Sequence, residues 1–271
     1  MPQLVEPLRG PLPREETSHG CFETMRAYGG RLFRLDAHLD RLYASARFLG
    51  THPPEDRRLL ARQLTAALKR SGVREAVVRI ALLPRPGMAA RPSIVVQPVT
   101  LPPASAYQRG IRVAVVPARP FAVGAVSPQA KYSARLGSIL AVVDAQVRGV
   151  DEALFMDAQG RVTESTASNV GVIRRGILIS PPCWLGLLAG VTRDVLGELA
   201  ARLRLPIRDI PLTRHELYTA EEIFLTSTTK EILPVTWVDG RRIGTGRPGP
   251  ITKRLHRAFR ALVRRELRLP V

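Results

Sequence analysis

The hydrophobic and polar positions of the first third of the chain predict a small layered unit. A Gly29-Gly30 pair between two short β-prone runs is typical of a hairpin, and Asp36 is placed to cap the helix that follows. We expect an α+β arrangement here. The predicted elements are strands over 21–28 and 31–35, helices over 37–49 and 56–71, and strands over 76–83, 93–100 and 111–116.

The rest of the chain has a different pattern, in which closely spaced short strands indicate an antiparallel sheet curling toward a barrel. The segment ARPFAVGAVSP has no convincing period and predicts a linker. We therefore expect a small N-terminal α/β domain over 1–117, an interdomain linker over 118–128, and a larger C-terminal domain over 129–271. Its predicted elements are helices over 134–147, 191–203 and 251–268, and strands over 153–156, 162–164, 169–173, 177–179 and 223–227.

Charge changes this picture little. The chain has 41 Lys and Arg against 23 Asp and Glu, a formal net charge of +18. The basic residues are scattered, without the interleaved aromatic residues that stack on bases, and their two dense stretches fit solvated faces of amphipathic helices. We expect no nucleic-acid partner, and a basic nucleic-acid-binding protein stays only a distant alternative.

The chain also lacks the signals of two other protein classes. No apolar run approaches the roughly 18 residues that a membrane-spanning helix needs, so we expect no membrane association and a cytoplasmic protein. Cys21 and Cys183 lie far apart and lack the paired spacing of a zinc site. We expect neither a disulfide nor a metal.

Lysine is scarce, which narrows the search for a reactive amine. Only four of the 41 basic residues are lysine, and Lys69 and Lys253 lie in the basic amphipathic helices. Lys131 opens the second domain and Lys230 follows a hydroxyl-rich turn. A lysine that is desolvated at a domain junction becomes nucleophilic toward an aldehyde or ketone. The alternative for Lys131 is an ordinary surface lysine.

Three other motifs suit a phosphorylated pyridine. The Gly190-Val-Thr-Arg193 segment opens a helix, whose free N–H groups and the Thr192 hydroxyl suit a phosphate, although an ordinary cap is the alternative. The turn Thr226-Ser-Thr-Thr229 offers further hydroxyl donors or is a simple hydroxyl turn. Glu164, flanked by hydroxyl residues, is suited to hold a pyridine nitrogen protonated; the alternative is a solvated glutamate.

These motifs occur in an order that resembles the class IV (fold type IV) pyridoxal-phosphate enzymes: branched-chain aminotransferases, D-amino-acid aminotransferases and aminodeoxychorismate lyases. The similar segments are GCFETMRAYGGRLFRLDAHLDRLYASARFLG, Lys131, DEALFMDAQGRVTESTASNV, LLAGVTRDVLGELA and EEIFLTSTTKEILPVTWVDGRRIGTGRPGPITKRLHRAF. The resemblance covers about residues 18–262. It implies a small α/β domain, a larger pseudo-barrel domain with the cofactor between them, and a homodimer.

The resemblance also implies residue roles. Lys131 would bind pyridoxal 5'-phosphate covalently and move the substrate proton, and Glu164 would bind the ring nitrogen. Leu188 would pack against the ring. The phosphate would be bound by Arg41, Val191, Thr192, Ser227 and Thr228.

Substrate preference is the least determined feature. The turn Ser227-Thr-Thr229 and the SNV run after Glu164 look more like D-amino-acid aminotransferases, and Leu136 replaces a tyrosine that is usual in branched-chain enzymes. We therefore expect a transaminase that uses an α-amino acid, with D-amino acids slightly favoured, and a 2-oxo acid. A branched-chain L-amino-acid aminotransferase and an aminodeoxychorismate lyase are the alternatives. The predicted substrate-binding residues are Phe22, Thr24, Arg26, Arg79 and Thr229.

Overall fold

The structure is a computed structural model that describes residues 20–85, 87–116, 129–132 and 136–270. Its contacts divide the chain into two compact units. Among the described residues, the smaller unit contains 20–100, 129–132 and 262–270, and the larger unit contains 101–116 and 136–261. The predicted linker, 118–128, lies outside the described residues.

The smaller unit is a four-stranded antiparallel sheet with two helices. Strand order is β2-β1-β3-β4. Alternate residues of the central strands, including Met25, Val78 and Ile80, are fully buried in a core shared with Leu39 and Leu64 of the helices. The elements are β1 (Cys21–Tyr28), β2 (Arg31–Leu32), α1 (Leu35–Phe48), α2 (Arg57–Ser71), β3 (Ala76–Arg85) and β4 (Met88–Pro98).

The two helices begin differently. Helix α2 begins as predicted, because the Asp56 carboxylate accepts a hydrogen bond from the backbone N–H of Leu59. The prediction that Asp36 caps α1 is wrong: the capping position is Arg34, in the left-handed conformation with φ 55° and no side-chain cap. Asp36 instead lies in the first turn, where its charge is favourable to the helix dipole.

The larger unit is built on a nine-stranded mixed sheet, six strands of which close into a ring. Consecutive pairings run β8-β11-β12-β5-β6-β7, and β7 pairs back to β8 through Glu164 and Asn169. The strands are β5 (Ile111–Val116), β6 (Glu152–Met156), β7 (Val162–Ser165), β8 (Asn169–Arg174), β9 (Ile177–Ser180), β10 (Ile207–Asp209), β11 (Glu222–Ser227), β12 (Glu231–Val238) and β13 (Arg241–Arg242).

Strand β5 corrects the predicted domain boundary. It has the predicted bounds, but it pairs in parallel with β12 and β6 of the larger unit instead of joining the N-terminal sheet. Its two faces are both buried: Val113 and Val115 lie in the ring's core, whereas Ala114 and Val116 pack beside Ala145. A strand buried on both faces is typical of parallel pairing.

The predicted start of the C-terminal domain, at residue 129, also differs from the structure. Residues 129–132, which include Lys131, group with the smaller unit, because Cys21 forms a bridge with Tyr132 beside β1. The remaining helices are α3 (Ala104–Arg109), α4 (Leu136–Val147), α5 (Val191–Arg202), α6 (Arg214–Tyr218) and α7 (Pro250–Glu266). Within the described part of the chain, no helix is both long and apolar enough to span a membrane.

Candidate functional site

Lys131 is fixed by its backbone in the smaller unit. Its N–H donates to the Ser45 hydroxyl of α1 at 3.0 Å, and its carbonyl accepts from the Phe22 N–H of β1 at 3.0 Å. Its side-chain nitrogen lies 4.8 Å from the centre of the Phe22 ring. The amine is therefore presented from an anchored backbone and lies against an aromatic face.

Beside Lys131, the predicted substrate-binding residues of β1 and β3 share one face of the sheet. Phe22, Thr24 and Arg26 alternate along β1, and Arg79 is the cross-strand partner of Thr24. The Arg79 guanidinium lies 4.4 Å from the Phe22 ring centre. Arg26 lies 4.1 Å from the ring of Tyr28 and 3.7 Å from a Glu75 oxygen. This face is cationic and aromatic, and suits a carboxylate attached to an apolar body.

The opposite face of β1 carries a buried charge cluster. Glu23 is fully buried and accepts two hydrogen bonds from Arg41, from Nε at 2.5 Å and from Nη2 at 2.9 Å. His38 Nδ1 lies 2.8 Å from the same carboxylate. Burial raises the pKa of Glu23, but the charge of Arg41 and the hydrogen bonds of His38 and Arg41 lower it well below its usual range. The predicted phosphate-binding arginine is therefore held by its Nε edge in a fixed orientation.

In the larger unit, Glu164 lies on the strand pair that closes the ring. Its Oε2 accepts from the Leu188 N–H at 2.9 Å and lies 3.4 Å from the side-chain nitrogen of Asn169. That Asn169 nitrogen also donates to the Leu188 carbonyl at 2.8 Å. The carboxylate is thus held by the loop that carries Leu188, next to the residue predicted to pack against the ring.

Helix α5 begins at the predicted anion-binding segment. Its capping residue, Gly190, has no side chain and therefore makes no capping hydrogen bond to the first-turn N–H groups. A Cβ at Gly190 would lie 2.0 Å from the Asn169 oxygen, so glycine is required for this close approach. Val191 and Thr192 are both buried in the first turn.

The turn after β11 contains the predicted hydroxyl donors Ser227, Thr228 and Thr229. The Ser227 hydroxyl accepts a hydrogen bond from the Lys230 N–H at 3.2 Å. The Lys230 amine forms an ion pair with buried Glu152. Lys230, the second candidate for a reactive amine, is therefore engaged by a carboxylate, which leaves Lys131 as the better candidate.

These donors fit pyridoxal phosphate, the cofactor that the resemblance implies. Taken separately, the smaller unit presents an amine and an oriented arginine, and the larger unit presents a held carboxylate, a helix N-terminus and a hydroxyl turn. Thr226 supplies an independent observation: its hydroxyl is buried without a hydrogen-bond partner among the described residues. Because Thr226 is the cross-strand partner of Asn169, it lies on the face that holds Glu164. A buried polar atom in this position suits a ligand that satisfies it.

Several residues around the candidate site were not predicted from the sequence. Glu23, His38, Ser45, Asn169 and Glu152 act on the predicted residues and carry no motif of their own. Glu152 had one weak signal: it is the first residue of β6, directly before the apolar run 153–156, and a carboxylate that is buried there requires a partner.

We predict that the Glu23 cluster makes the fold sensitive to acid. The folded-state pKa of Glu23 lies below its ordinary value of 4.5, so its stabilising effect is complete above 4.5 and is lost as the pH falls through the folded-state value. The free energy of unfolding, measured with urea, should therefore begin to fall near about pH 5 and keep falling as the pH is lowered toward the folded-state pKa.

The Glu23→Gln variant removes the titrating group. Its free energy of unfolding should start lower at neutral pH and fall less steeply with acid, whereas Glu55→Gln, at an exposed position, should keep the wild-type slope. Equal slopes in the wild type and Glu23→Gln would contradict the prediction.

Comparisons with known proteins identify the family to which the chain belongs. Residues 20–238 match the family model for amino-transferase class IV. The branched-chain-amino-acid aminotransferase of Pseudomonas aeruginosa is 34% identical over 258 residues, covering 90% of this chain and 84% of the relative. The structure of branched-chain aminotransferase from Thermoproteus uzoniensis with norvaline matches with a TM-score of 0.83 and 32% identity, covering 90% of this chain and 85% of that one.

A second solved structure is a branched-chain amino acid aminotransferase from T.th. with pyridoxamine 5'-phosphate. It matches with a TM-score of 0.85 and 29% identity, and covers 93% of this chain and 91% of that chain. Both solved structures extend across the two units of the present chain. The likeness therefore concerns nearly the whole described fold.

Proposed function

Because the chain belongs to the class IV aminotransferases, we propose that it transfers the amino group of a branched-chain L-amino acid to a 2-oxo acid such as 2-oxoglutarate. The chain is a pyridoxal-phosphate-dependent transaminase with the α+β fold of its family. The observation that carries the substrate proposal is the near-full-length similarity to relatives and solved structures that are named branched-chain aminotransferases.

We assign the roles at the reacting cofactor ring to two residues, Lys131 and Glu164. When bound, the cofactor ring withdraws electrons from the substrate α-carbon. Lys131 supplies the amine that binds the cofactor and then moves the proton at the α-carbon, from a backbone held by Ser45 and Phe22. Glu164 keeps the ring nitrogen protonated, and its own position is held by Leu188 and Asn169.

Other residues bind without reacting. We propose that the phosphate is bound by Arg41, the first turn of α5 and the hydroxyl turn, and that Leu188 packs on the ring. On the sheet face of the smaller unit, Arg26 and Arg79 are suited to a substrate carboxylate, and Phe22 to an apolar side chain. The residues proposed for the phosphate are Arg41, Val191, Thr192, Ser227 and Thr228, and those proposed for the substrate are Phe22, Thr24, Arg26, Arg79 and Thr229.

The slight preference for D-amino acids expected from the sequence lacks support. It rested on the Ser227-Thr-Thr229 turn, the residues after Glu164 and the leucine at position 136, which are a few local positions. The relatives similar over the whole chain are named for branched-chain amino acids. We therefore prefer the branched-chain alternative.

The choice of donor is tested with the purified enzyme loaded with pyridoxal phosphate. Single additions of L-leucine, L-valine or D-alanine with 2-oxoglutarate as acceptor, and of D-glutamate with pyruvate as acceptor, are followed by the formation of the donor's oxo acid and of the amino acid made from the acceptor. We expect turnover with the L-branched donors and the two-step kinetics of a substituted enzyme. Turnover with D-donors alone contradicts the branched-chain proposal, and release of pyruvate from aminodeoxychorismate without an acceptor indicates the lyase.

We also propose that the enzyme is a homodimer, as the resemblance implies. Helix α4 exposes large apolar side chains, and Val147 is 81% exposed. A contiguous apolar helix face of this kind is typical of a surface covered by another chain. Light scattering of the purified protein should give twice the chain mass; the mass of one chain contradicts the proposal. The exposed side chains of α4 include Ile139, Leu140, Val143 and Val147.

A further inference from the structure

The ion pair between Lys230 and Glu152 is unusual because of its depth. The exposed fraction of the side chain is 4% for Glu152 and 16% for Lys230. Two charges removed from water incur a desolvation penalty that their attraction offsets only in good geometry, so a buried pair by itself argues weakly for stability. The arrangement of its partners therefore indicates its role.

Glu152 is connected to the strand that carries Glu164. Glu152 Oε1 accepts two hydrogen bonds, one from the Ser165 hydroxyl at 3.1 Å and one from the Thr166 hydroxyl. Burial raises the pKa of Glu152, but the Lys230 charge and the hydrogen bonds of Lys230, Thr166 and Ser165 lower it below its ordinary value. The ionised Glu152 carboxylate thus holds, by hydrogen bonds, the two residues that directly follow Glu164.

Lys230 is connected to the hydroxyl turn. Its backbone N–H donates to the Ser227 hydroxyl at 3.2 Å, and its carbonyl accepts from the Tyr107 hydroxyl at 3.0 Å. The Tyr107 ring is stacked on His256, with ring centres 5.0 Å apart. Both backbone groups of Lys230 are thereby held, so the position of its amine and the position of the turn are coupled.

We propose that the Lys230–Glu152 pair positions the Ser227–Thr229 turn for the cofactor phosphate by tying it to the hairpin that carries Glu164. The proposal rests on the proposed function, since it assigns the phosphate to this turn. Lys230 acts as a positioning residue through Ser227. The backbone N–H of Lys230 remains when the pair is broken, but the segment that carries it is no longer tied to Glu152, so Ser227 and the turn are free to move away from the phosphate.

The test measures the dissociation constant of pyridoxal phosphate from the apoenzyme by absorbance titration. We expect Lys230→Met to raise this constant about tenfold, which corresponds to ~1.4 kcal/mol. Pyridoxal, which lacks the phosphate, should be affected less than pyridoxal phosphate, whereas a general loss of structure would weaken both equally. Equal losses for the two compounds contradict the proposal. Lys253→Met, at an exposed lysine of α7, is the matched control and should bind as the wild type does.

A double variant separates positioning from the effect of an unpaired buried charge. Lys230→Met combined with Glu152→Gln leaves neither charge, so the fold keeps no uncompensated ion. We expect the dissociation constant of pyridoxal phosphate to stay raised, because methionine does not bind the glutamine side chain. A return to the wild-type constant contradicts the inference. A wild-type chain that binds no pyridoxal phosphate contradicts the proposed function instead, so the two failures are distinguishable.

Discussion

Replacing Lys131 by alanine abolishes transamination. Alanine has no amine to bind the cofactor and no base to move the substrate proton, and positioned acid–base groups alone account for roughly 10²- to 10⁴-fold in rate. We expect kcat to fall by at least ~10⁴-fold, because the covalent attachment is lost as well. The measurement is the initial rate of glutamate formation with L-leucine and 2-oxoglutarate, at saturating pyridoxal phosphate.

The controls for this variant separate chemistry from folding. Lys253→Ala removes an exposed lysine of α7 and should keep the wild-type rate. At position 131 the backbone carbonyl still accepts from the Phe22 N–H and the backbone N–H still donates to the Ser45 hydroxyl. The thermal midpoint of Lys131→Ala should therefore stay within a few degrees of the wild type. A variant that retains a tenth or more of the wild-type kcat shows that Lys131 is not the reactive amine.

Replacing Glu164 by glutamine lowers kcat while the cofactor stays bound. Glutamine has the shape of glutamate, and its oxygen accepts the same hydrogen bond from the Leu188 N–H. It has no charge, so it no longer favours a proton on the ring nitrogen, and the electron withdrawal that stabilises the developing carbanion weakens. Removal of one such preorganised electrostatic contact costs about 10²- to 10³-fold in kcat, and we expect a loss of this size.

The Glu164 prediction is checked by measuring two quantities in the same preparation. The dissociation constant of pyridoxal phosphate should change by less than about tenfold, whereas kcat with L-leucine should fall by the larger factor. Glu55→Gln, an exposed glutamate of the smaller unit, is the control and should leave both quantities unchanged. An unchanged kcat in Glu164→Gln removes this residue from the mechanism.

The elements of the fold were largely predictable where a local signal decided them. Strand β1 has the predicted bounds, and α2 begins within one residue of its predicted start and ends at the predicted residue. Strand β12 was missed because it contains Pro234, which normally argues against a central strand. Pairing of β12 with β5 begins only at Val235, so Pro234 lies where that side of β12 still has no strand neighbour. The proline therefore removes no donor from that pairing.

The sheet to which a strand belongs was less predictable. The apolar run of β5 is equally compatible with either sheet, and its assignment depends on pairing with β12, whose residues lie more than a hundred positions later. The same limit applies to the site. Lys131, Glu164 and the helix after Gly190 carry recognisable motifs, whereas the Glu152–Lys230 pair joins residues 78 positions apart, and the Glu23 carboxylate meets Arg41 only across a strand and a helix.

The closure of the barrel has a consequence for how the enzyme keeps its cofactor. The ring of six strands is completed where β7 meets β8, and the paired residues there are Glu164 and Asn169. The carboxylate proposed for the ring nitrogen thus lies on the seam of the barrel. A ligand that binds only the closed barrel stabilises the β7–β8 pairing that closes it. We expect the bound cofactor to stabilise the pairing of β7 with β8. Without the cofactor, backbone amide exchange along β7 should be faster than along β11. With the cofactor bound, the two strands should exchange at similar rates.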